Sequence, residues 1–404
     1  MGLNGPRCEV WVTGLGLVSS LATTPDEHWL TLNATPAPRL AELRNTGCAV
    51  HPLPAIDYSS EIPNPMERKR MGPLQALGVY TAGRALGSAG LKGNEDILSR
   101  AAVIVGGAGG ERDIALDEAI FSEPLTFASP AALNQKLSER MRPSLFLSQL
   151  PNLLAGNISI LHGVGGGSRT TMGDELAGAT AAKIAFDLVA DGNYDVALVG
   201  GAFNAERLDL LLLYGSGDYL WRQPYRPVTG RDGDGGLLLG TLSAFLVLED
   251  AGHARARGAI PLARLDGIAH RHSRRNPGDV ARAVGELRAQ FPSRPGDSPG
   301  VISGATGIAG PTNEELGRLA ATAARSDLPI RLTGSLFGHG MEASFPFNLA
   351  LAALALRSGR LYPPAPGDPA SPRDGNDIDH LFVTGVGHWR GEAAAMLSAV
   401  GVEA

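Results

Sequence analysis

Short apolar runs alternate with longer segments of helical periodicity along the whole chain. The short runs are bounded by glycine, proline or polar turns, which is typical of buried strands. They predict strands at residues 9–15, 101–108, 168–172, 195–199, 244–249, 261–269, 300–303, 330–333 and 380–384. Apolar positions at helical spacing predict helices at residues 67–91, 153–161, 175–190, 208–214, 280–291, 313–324 and 339–358. The order repeats coarsely from residue 260, so the pattern predicts a two-part α/β protein.

The stretch from residue 150 to 202 has the layout of strand, sharp turn and helix. A brief strand ends at Met172, a Gly173-Asp174 turn follows, and a helix rich in small residues begins near Glu175. Such an elbow presents a side chain at a helix N-terminus, where backbone N–H groups and the helix dipole favour negative charge. Glu175 is therefore either a site residue or an ordinary first-turn residue stabilised by the dipole.

This stretch resembles the active-site region of β-ketoacyl synthases, the elongating condensing enzymes of thiolase fold. Pro151-Asn152 and Ala155-Gly156 match the family's segment before its nucleophile, and Ala177-Gly178 matches the pair after it. The alignment places Glu175 where the family carries its nucleophilic cysteine. A thiolate holds an acyl chain as a thioester, whereas a carboxylate would form a mixed anhydride that hydrolyses easily. The resemblance implies a five-layer α/β/α/β/α sandwich built from two pseudo-duplicated ketosynthase-like halves, residues 1–250 and 251–404.

The other catalytic positions of the family are also altered in this chain. The family uses two histidines to stabilise the enolate that forms on decarboxylation. The first begins a His-Gly-Thr-Gly-Thr motif, and Gly304 stands in its place here. The second ends a Lys-Ser-x-x-Gly-His motif, of which His339 is retained while Gly334 replaces the lysine. The resemblance thus makes His339 either a residual catalytic residue or a structural histidine at a helix start.

Two further segments are assigned through the resemblance. Residues 111–148 correspond to the family segment that crosses the dimer interface and lines the partner's acyl tunnel. Its apolar residues are candidates for substrate binding, with ordinary core packing as the alternative: Phe121, Leu125, Phe127 and Phe146. The C-terminal His388, Trp389 and Arg390 replace part of the family's glycine-rich loop near the active-site mouth, and we expect a surface loop with a half-buried tryptophan there.

Composition excludes several classes of function. The formal net charge of −6 gives no basic footprint for nucleic acid. The two cysteines, Cys8 and Cys48, predict neither a disulfide framework nor a CxxC metal site, and we expect no cofactor. The longest apolar run, residues 235–248, is too short to span a bilayer. With no N-terminal signal visible, we expect a soluble, cytoplasmic protein.

Together these features predict a ketosynthase-like subunit without condensing chemistry of its own. It resembles the chain length factors of type II polyketide and polyene systems, which pair with an active ketosynthase and shape the shared tunnel. The implied partners are that ketosynthase, in a heterodimer, and an acyl carrier protein. Chain length factors usually carry glutamine at the cysteine position, and an unpaired Glu175 in a dry cleft would take up a proton and mimic its shape.

Two other hypotheses stay open at this point. One is a malonyl-carrier decarboxylase or an atypical acyltransferase that uses Glu175 and His339. The other is a homodimeric scaffold that binds acyl chains or carrier protein and has no ketosynthase partner.

Overall fold

The computed structural model describes residues 7–34, 36–43, 46–107, 109–121, 130–140, 147–292, 297–322, 328–369 and 375–401. The strands are β1 Val10–Ser19, β2 Ala41–Glu42, β3 Ala49–Val50, β4 Ala102–Gly107, β5 Gly167–Met172, β6 Val196–Phe203, β7 Leu242–Asp250, β8 Ala263–Arg271, β9 Pro299–Ser303, β10 Ile330–Leu332, β11 His380–Val386 and β12 Glu392–Ser398. The helices are α1 Pro25–Asn33, α2 Pro65–Arg70, α3 Pro73–Ser88, α4 Glu95–Leu98, α5 Ile114–Phe121, α6 Pro130–Arg140, α7 Leu153–His162, α8 Asp174–Ala190, α9 Leu208–Ser216, α10 Ala251–Ala256, α11 Asp279–Arg288, α12 Ala309–Thr322, α13 Gly334–Phe337 and α14 Ser344–Arg357.

A mixed ten-stranded sheet shows the internal duplication of the chain. Its strand order is β10-β9-β11-β12-β8-β1-β7-β6-β4-β5. On one side β5, β4 and β6 are parallel while β7 and β1 are antiparallel to their neighbours. On the other side β10, β9 and β11 are parallel while β12 and β8 are antiparallel. The two five-strand sets thus have the same order and directions, and β1 pairs with β8 where they meet.

Helices α8 and α14 lie between the two strand sets and form the central layer. Their buried alanines and leucines pack in one cluster with strand residues of both sets. Helices α3 and α7 cover the outer face of the first set, and α11 packs on the outer face of the second, with α12 against it. This arrangement confirms the five-layer α/β/α/β/α sandwich, while the division at residue 250 stays a prediction.

Small residues let the central helix approach its neighbours closely. A Cβ atom on Gly178 would lie 1.9 Å from the carbonyl oxygen of Glu342. No side chain fits at that distance, so the packing of α8 against the segment before α14 requires glycine there. The glycine and alanine content of α8, visible in the sequence, therefore has a packing cause.

Two predictions of local structure were wrong, and one strand was missed. The helix predicted at residues 67–91 is two helices, α2 and α3, because Pro73 disfavours helical geometry at Gly72 and starts a new helix. The helix predicted from His339 begins at Ser344, after a 3₁₀ turn at Met341–Ala343. Strand β12 was not predicted, because its buried alanine run shows no polar alternation.

Candidate functional site

The elbow between β5 and α8 places Glu175 inside the protein. Gly173 and Asp174 have φ values of 126° and 41°, so the chain reverses sharply between the strand and the helix. Aspartate tolerates the left-handed region better than most residues, and glycine adopts it freely. As a result Glu175 is only 6% exposed at the start of α8. This is the strand-turn-helix arrangement that the sequence predicts.

Three hydrogen-bond donors converge on one oxygen of Glu175. Nε2 of His339 lies 3.0 Å from Oε1, and Nδ1 of His388 lies 2.7 Å from it. The backbone N–H of His388 donates to the same oxygen at 2.9 Å. The other oxygen, Oε2, is buried and has no hydrogen-bond partner among the described residues. The carboxylate is thus held from one side by two imidazoles and a peptide N–H.

These donors keep Glu175 ionised. Burial by itself would raise the pKa of the carboxyl, but the hydrogen bonds from His339 and His388 and the charge of the two imidazoles outweigh it. The net effect holds the pKa of Glu175 well below its ordinary range. The expectation of a protonated glutamine mimic was therefore wrong for this side chain. It assumed an unpaired carboxylate, and no sequence pattern indicated that His388 would pair with it.

His388 is the site residue that sequence reasoning missed. It was assigned to a surface loop, yet it is only 6% exposed, in the turn between β11 and β12. Tyr214 and Tyr219 contact its ring edge-on, with centroid distances of 5.4 and 4.9 Å. The available signal was an ionisable residue inside a segment that replaces the family's glycine-rich loop. Trp389 is half-exposed, as expected, and donates to Asp174 Oδ2 at 2.9 Å.

Arg275 forms hydrogen bonds with both ends of the turn that carries His388. Its Nη2 donates to the carbonyl oxygens of Gly387 and Gly391, at 2.7 and 3.3 Å. Its Nη1 bonds to the carboxylate of Glu392, which is fully buried. The guanidinium therefore holds the turn in place from outside the site.

A sequence comparison identifies the family to which this geometry belongs. The pattern of the family described as "Beta-ketoacyl synthase, N-terminal domain" matches residues 8–251 of the 404. The chain belongs to the β-ketoacyl synthase family. The 3-oxoacyl-[acyl-carrier-protein] synthase 2 of Vibrio harveyi is 24% identical to it, and the match covers 92% of this chain and 90% of that protein.

Solved structures show that the fold is that of ketosynthases. The structure described as "The ishigamide ketosynthase/chain length factor" is 22% identical, with a TM-score of 0.80 over 98% of this chain and 100% of that one. A chain of the structure described as "AntDE:AntF (apo): type II PKS acyl-carrier protein in complex with its ketosynthase bound to the hexaketide" is 18% identical to this chain. Its TM-score is 0.74, and the match covers 98% of this chain and 100% of that one. At these identities the likeness establishes the fold alone.

Two glycines of this ketosynthase-family chain leave no room for the groups that the family pattern has there. A Cβ on Gly304 would lie 2.7 Å from the carbonyl oxygen of Thr384. A Cβ on Gly334 would lie 2.8 Å from the carbonyl oxygen of Ala305 and 2.9 Å from Val228. Neighbouring backbone thus occupies the space next to both positions, and the absence of histidine and lysine is part of the packing.

The cavity that the described residues form beside Glu175 is too small for an acyl chain. A cavity lined by Glu175, Gly304, His339, Ser344 and Asn348 has a volume of about 10 Å³ for the centre of a water molecule. That is on the order of one water. The tunnel residues proposed from the sequence, Leu125, Phe127 and Phe146, lie outside the described residues, as does the side chain of Phe121.

Neither cysteine replaces the missing thiol. The backbone N–H of Cys8 bonds to the carbonyl oxygen of Ala190, at the end of α8 opposite Glu175. Fifteen helical residues put that end about 22 Å away. Burial raises the pKa of the Cys8 thiol, which lowers its reactivity, and Cys48 is buried in the central core.

Within the described residues no group of histidine, cysteine, aspartate and glutamate has the geometry of a metal site. The same part of the chain contains no helix with the length and apolar character needed to cross a bilayer.

A second buried carboxyl, that of Glu342, has a pKa shifted the other way. It is 1% exposed, its Oε1 has no hydrogen-bond partner in the described part of the chain, and burial raises its pKa to about 8. The negative charges of Asp174 and Glu175 add to the rise, against the opposing charge of Arg207. At neutral pH Glu175 is thus a carboxylate and Glu342 a carboxylic acid.

Replacing Glu342 with glutamine is expected to stabilise the protein at neutral pH. A carboxyl whose pKa is raised in the folded state stabilises it below the unfolded value of 4.5, and that contribution is lost as pH rises towards 8. Glutamine keeps the neutral shape, so its advantage grows by up to about 1.4 kcal/mol per pH unit in that window. We expect roughly 3 kcal/mol at pH 7, measured by denaturant unfolding at several pH values.

The matched control is Glu95→Gln on the exposed first turn of α4. Its effect should stay within about 0.5 kcal/mol at every pH. A Glu342→Gln protein whose relative stability does not change between pH 5 and pH 8 would show that Glu342 is ionised throughout.

Proposed function

We propose that this chain is a non-condensing ketosynthase-family subunit, of the chain length factor type, that pairs with an active β-ketoacyl-acyl-carrier-protein synthase. The observation that carries the proposal is the state of Glu175. The residue at the nucleophile position is an ionised carboxylate whose oxygen already accepts three hydrogen bonds. Condensation needs a nucleophile that holds the acyl chain and free donors for the enolate oxygen. Here the donors are occupied and the thiol is absent.

The rest of the fold supports a subunit that acts through its scaffold. The five layers and the small-residue packing of α8 are complete, although the cavity beside Glu175 holds about one water. A protein that had merely lost an activity would be expected to accumulate packing defects as well. Intact packing with altered chemistry fits a role in assembly and in shaping a partner's tunnel.

The partners follow from that role. The active ketosynthase would supply the cysteine and both histidines, and an acyl carrier protein would deliver the chain. Two solved structures of this fold carry these names, one a ketosynthase/chain length factor and the other a ketosynthase with its acyl-carrier protein. The complex would act as a 3-oxoacyl-[acyl-carrier-protein] synthase, and the segment from Phe121 to Phe146 would line its tunnel. A cytoplasmic location stays a prediction from the sequence.

Co-expression with candidate intact ketosynthases tests the proposal. We expect a one-to-one complex by size measurement and, with acyl-carrier substrates, an acyl adduct on the partner's cysteine alone by intact mass. Glu175→Gln should leave the acylation of the partner unchanged, because Glu175 takes no part in the chemistry. Phe127→Ala should lengthen the product, since a smaller side chain deepens the tunnel and each buried methylene contributes about 0.8 kcal/mol.

Two results would contradict the proposal. One is a stable acyl adduct on this chain. The other is a purified chain that forms no complex with any candidate ketosynthase and only pairs with itself, which would favour the homodimeric scaffold.

The decarboxylase alternative has one observation in its favour. His388 brings a second imidazole next to His339, in place of the histidine that Gly304 lacks. Nε2 of His339 and Nδ1 of His388 both donate to Glu175, however, so neither of these two nitrogens is free for an enolate oxygen. Conversion of malonyl-carrier protein to acetyl-carrier protein by this chain alone, lost on His339→Ala, would establish the alternative.

A further inference from the structure

The donors around Glu175 form a site for one carboxylate oxygen. Nε2 of His339, Nδ1 of His388 and the backbone N–H of His388 lie within 3.0 Å of the same point, Oε1 of Glu175. They come from the segment before α14 and from the turn between β11 and β12. Neither segment belongs to α8, which carries Glu175, so the fold and not the carboxylate's own helix positions the donors.

Other contacts hold these donors independently of Glu175. The ring of His388 packs against Tyr214 and Tyr219, and Arg275 bonds to both ends of its turn. The backbone of His339 is hydrogen-bonded on both sides, to Leu238 and to Gly240. Donors fixed in this way stay in place when the anion is removed, and such preorganisation favours binding.

The geometry also sets the size of an anion that would fit. Replacing Glu175 with alanine removes Cγ and the carboxylate group, which together are the atoms of an acetate ion. The freed volume joins the small cavity next to the unpartnered Oε2. The methyl group of a free acetate is not bonded to the alanine Cβ and needs more room than Cγ, so acetate fits beside the three donors by extending into that cavity.

We infer that His339 and His388 form an anion-binding site whose resident ligand is the side chain of Glu175, and that the site binds a free small carboxylate when this side chain is removed. His388 supplies two of the three donors. The site is therefore built by a residue that lies outside the matched motifs of the family. In the native chain the tethered carboxylate keeps it filled.

Thermal unfolding of Glu175→Ala in the full-length protein tests the inference. At pH 7 and constant ionic strength, acetate should raise the Tm saturably, by a few degrees at about 100 times its Kd. Chloride should give no such rise, and neither should acetamide, which has the shape of acetate but no charge. Wild-type protein and Glu175→Gln should not respond specifically to acetate, because their side chains still fill the site.

A second experiment tests whether His388 is required as a donor to the bound acetate. The double variant Glu175→Ala/His388→Ala should lose the acetate response, while Glu175→Ala/His272→Ala, altered at an exposed histidine, should keep it. An equal rise with chloride, or an unchanged response in the His388 double variant, overturns the inference. Where Glu175→Ala does not fold in plain buffer, acetate should restore its folding and that of Glu175→Ser. Failure of acetate to restore either also counts against it.

Discussion

Replacing Gly304 with histidine is expected to destabilise the protein by more than about 3 kcal/mol, because the space for a side chain is taken. The Cβ would lie 2.7 Å from the carbonyl oxygen of Thr384, an interior residue of β11, and 3.1 Å from Nδ2 of Asn348. The oxygen belongs to a buried strand paired on both sides, so it cannot move without distorting the sheet. Overpacking a core by a few atoms costs about 1–3 kcal/mol, and an imidazole adds more than that.

The same substitution at Gly317 provides the control. Gly317 lies on the exposed face of α12, where an added Cβ meets nothing within 4 Å. Gly317→His should change the free energy of unfolding by about 0.5 kcal/mol or less. Equal stabilities of Gly304→His and Gly317→His would show that the backbone around Gly304 yields easily.

Restoring the family's cysteine at position 175 should not restore condensing activity. Glu175→Cys alone lacks the imidazole at Gly304 and the lysine at Gly334. The double variant Glu175→Cys/Gly304→His supplies the imidazole only in a distorted core. We expect no ketoacyl product from either without a partner, measured by mass spectrometry. Appreciable product from the single variant would refute our account of the missing donors.

Replacing His388 with alanine is expected to cost about 3 kcal/mol at pH 7, close to the lower end of measured losses when one partner of a buried ion pair is removed. The change takes away the shortest hydrogen bond to Glu175 and leaves a buried carboxylate with fewer donors. It also removes a ring packed against two tyrosines, which is a loss that does not depend on pH. The free energy of unfolding by denaturant would measure the sum.

The pH dependence separates the two contributions. The pKa of Glu175 is depressed in the folded state, so its ionised form stabilises the fold above the unfolded value of 4.5. That stability is lost as pH falls through the folded pKa. Without His388 the folded pKa rises, and the penalty of the variant should be full at pH 7 and shrink as pH falls below about 4.5.

A double-mutant cycle with Glu175→Gln isolates the pair. A coupling free energy above about 1 kcal/mol between the two positions would support the ionic contact, and His272→Ala should show no coupling. A penalty for His388→Ala that is the same at pH 4 and pH 7, with no coupling to Glu175, would mean that His388 acts only through packing.

Local sequence was sufficient for most elements of this fold. The β5–α8 elbow, the helix from Glu175 to Ala190 and the apolar strands all appear close to their predicted bounds. Periodicity and turn residues act over a few positions, so a short window contains the information. The errors had two sources, an overlooked proline in the sequence and a strand that depends on its pairing partners. Pro73 divided a periodic stretch into two helices, and β12 gained its strand structure by pairing with β11 and β8.

Only part of the candidate site could be predicted from the sequence. Glu175 and His339 could be placed because each lies inside a motif with neighbours that match the family. His388 lies 213 positions from Glu175, in a segment that departs from the family pattern. No periodicity or spacing relates two such positions. The contact depends on the register of β11 with β12 and on how far the turn between them reaches towards α8.

A two-part α/β protein with a carboxylate where a ketosynthase has its thiol could be recognised without any coordinates. These properties depend on residue identity and local spacing. The three-dimensional structure was needed to show that the carboxyl group of Glu175 is ionised, because its pKa depends on which donors surround it. It also decided that Gly304 and Gly334 have no free volume, since that depends on the backbone of strands and loops far away in the chain. Electrostatic environment and packing are properties of neighbours in space, and neighbours in space are set by the whole fold.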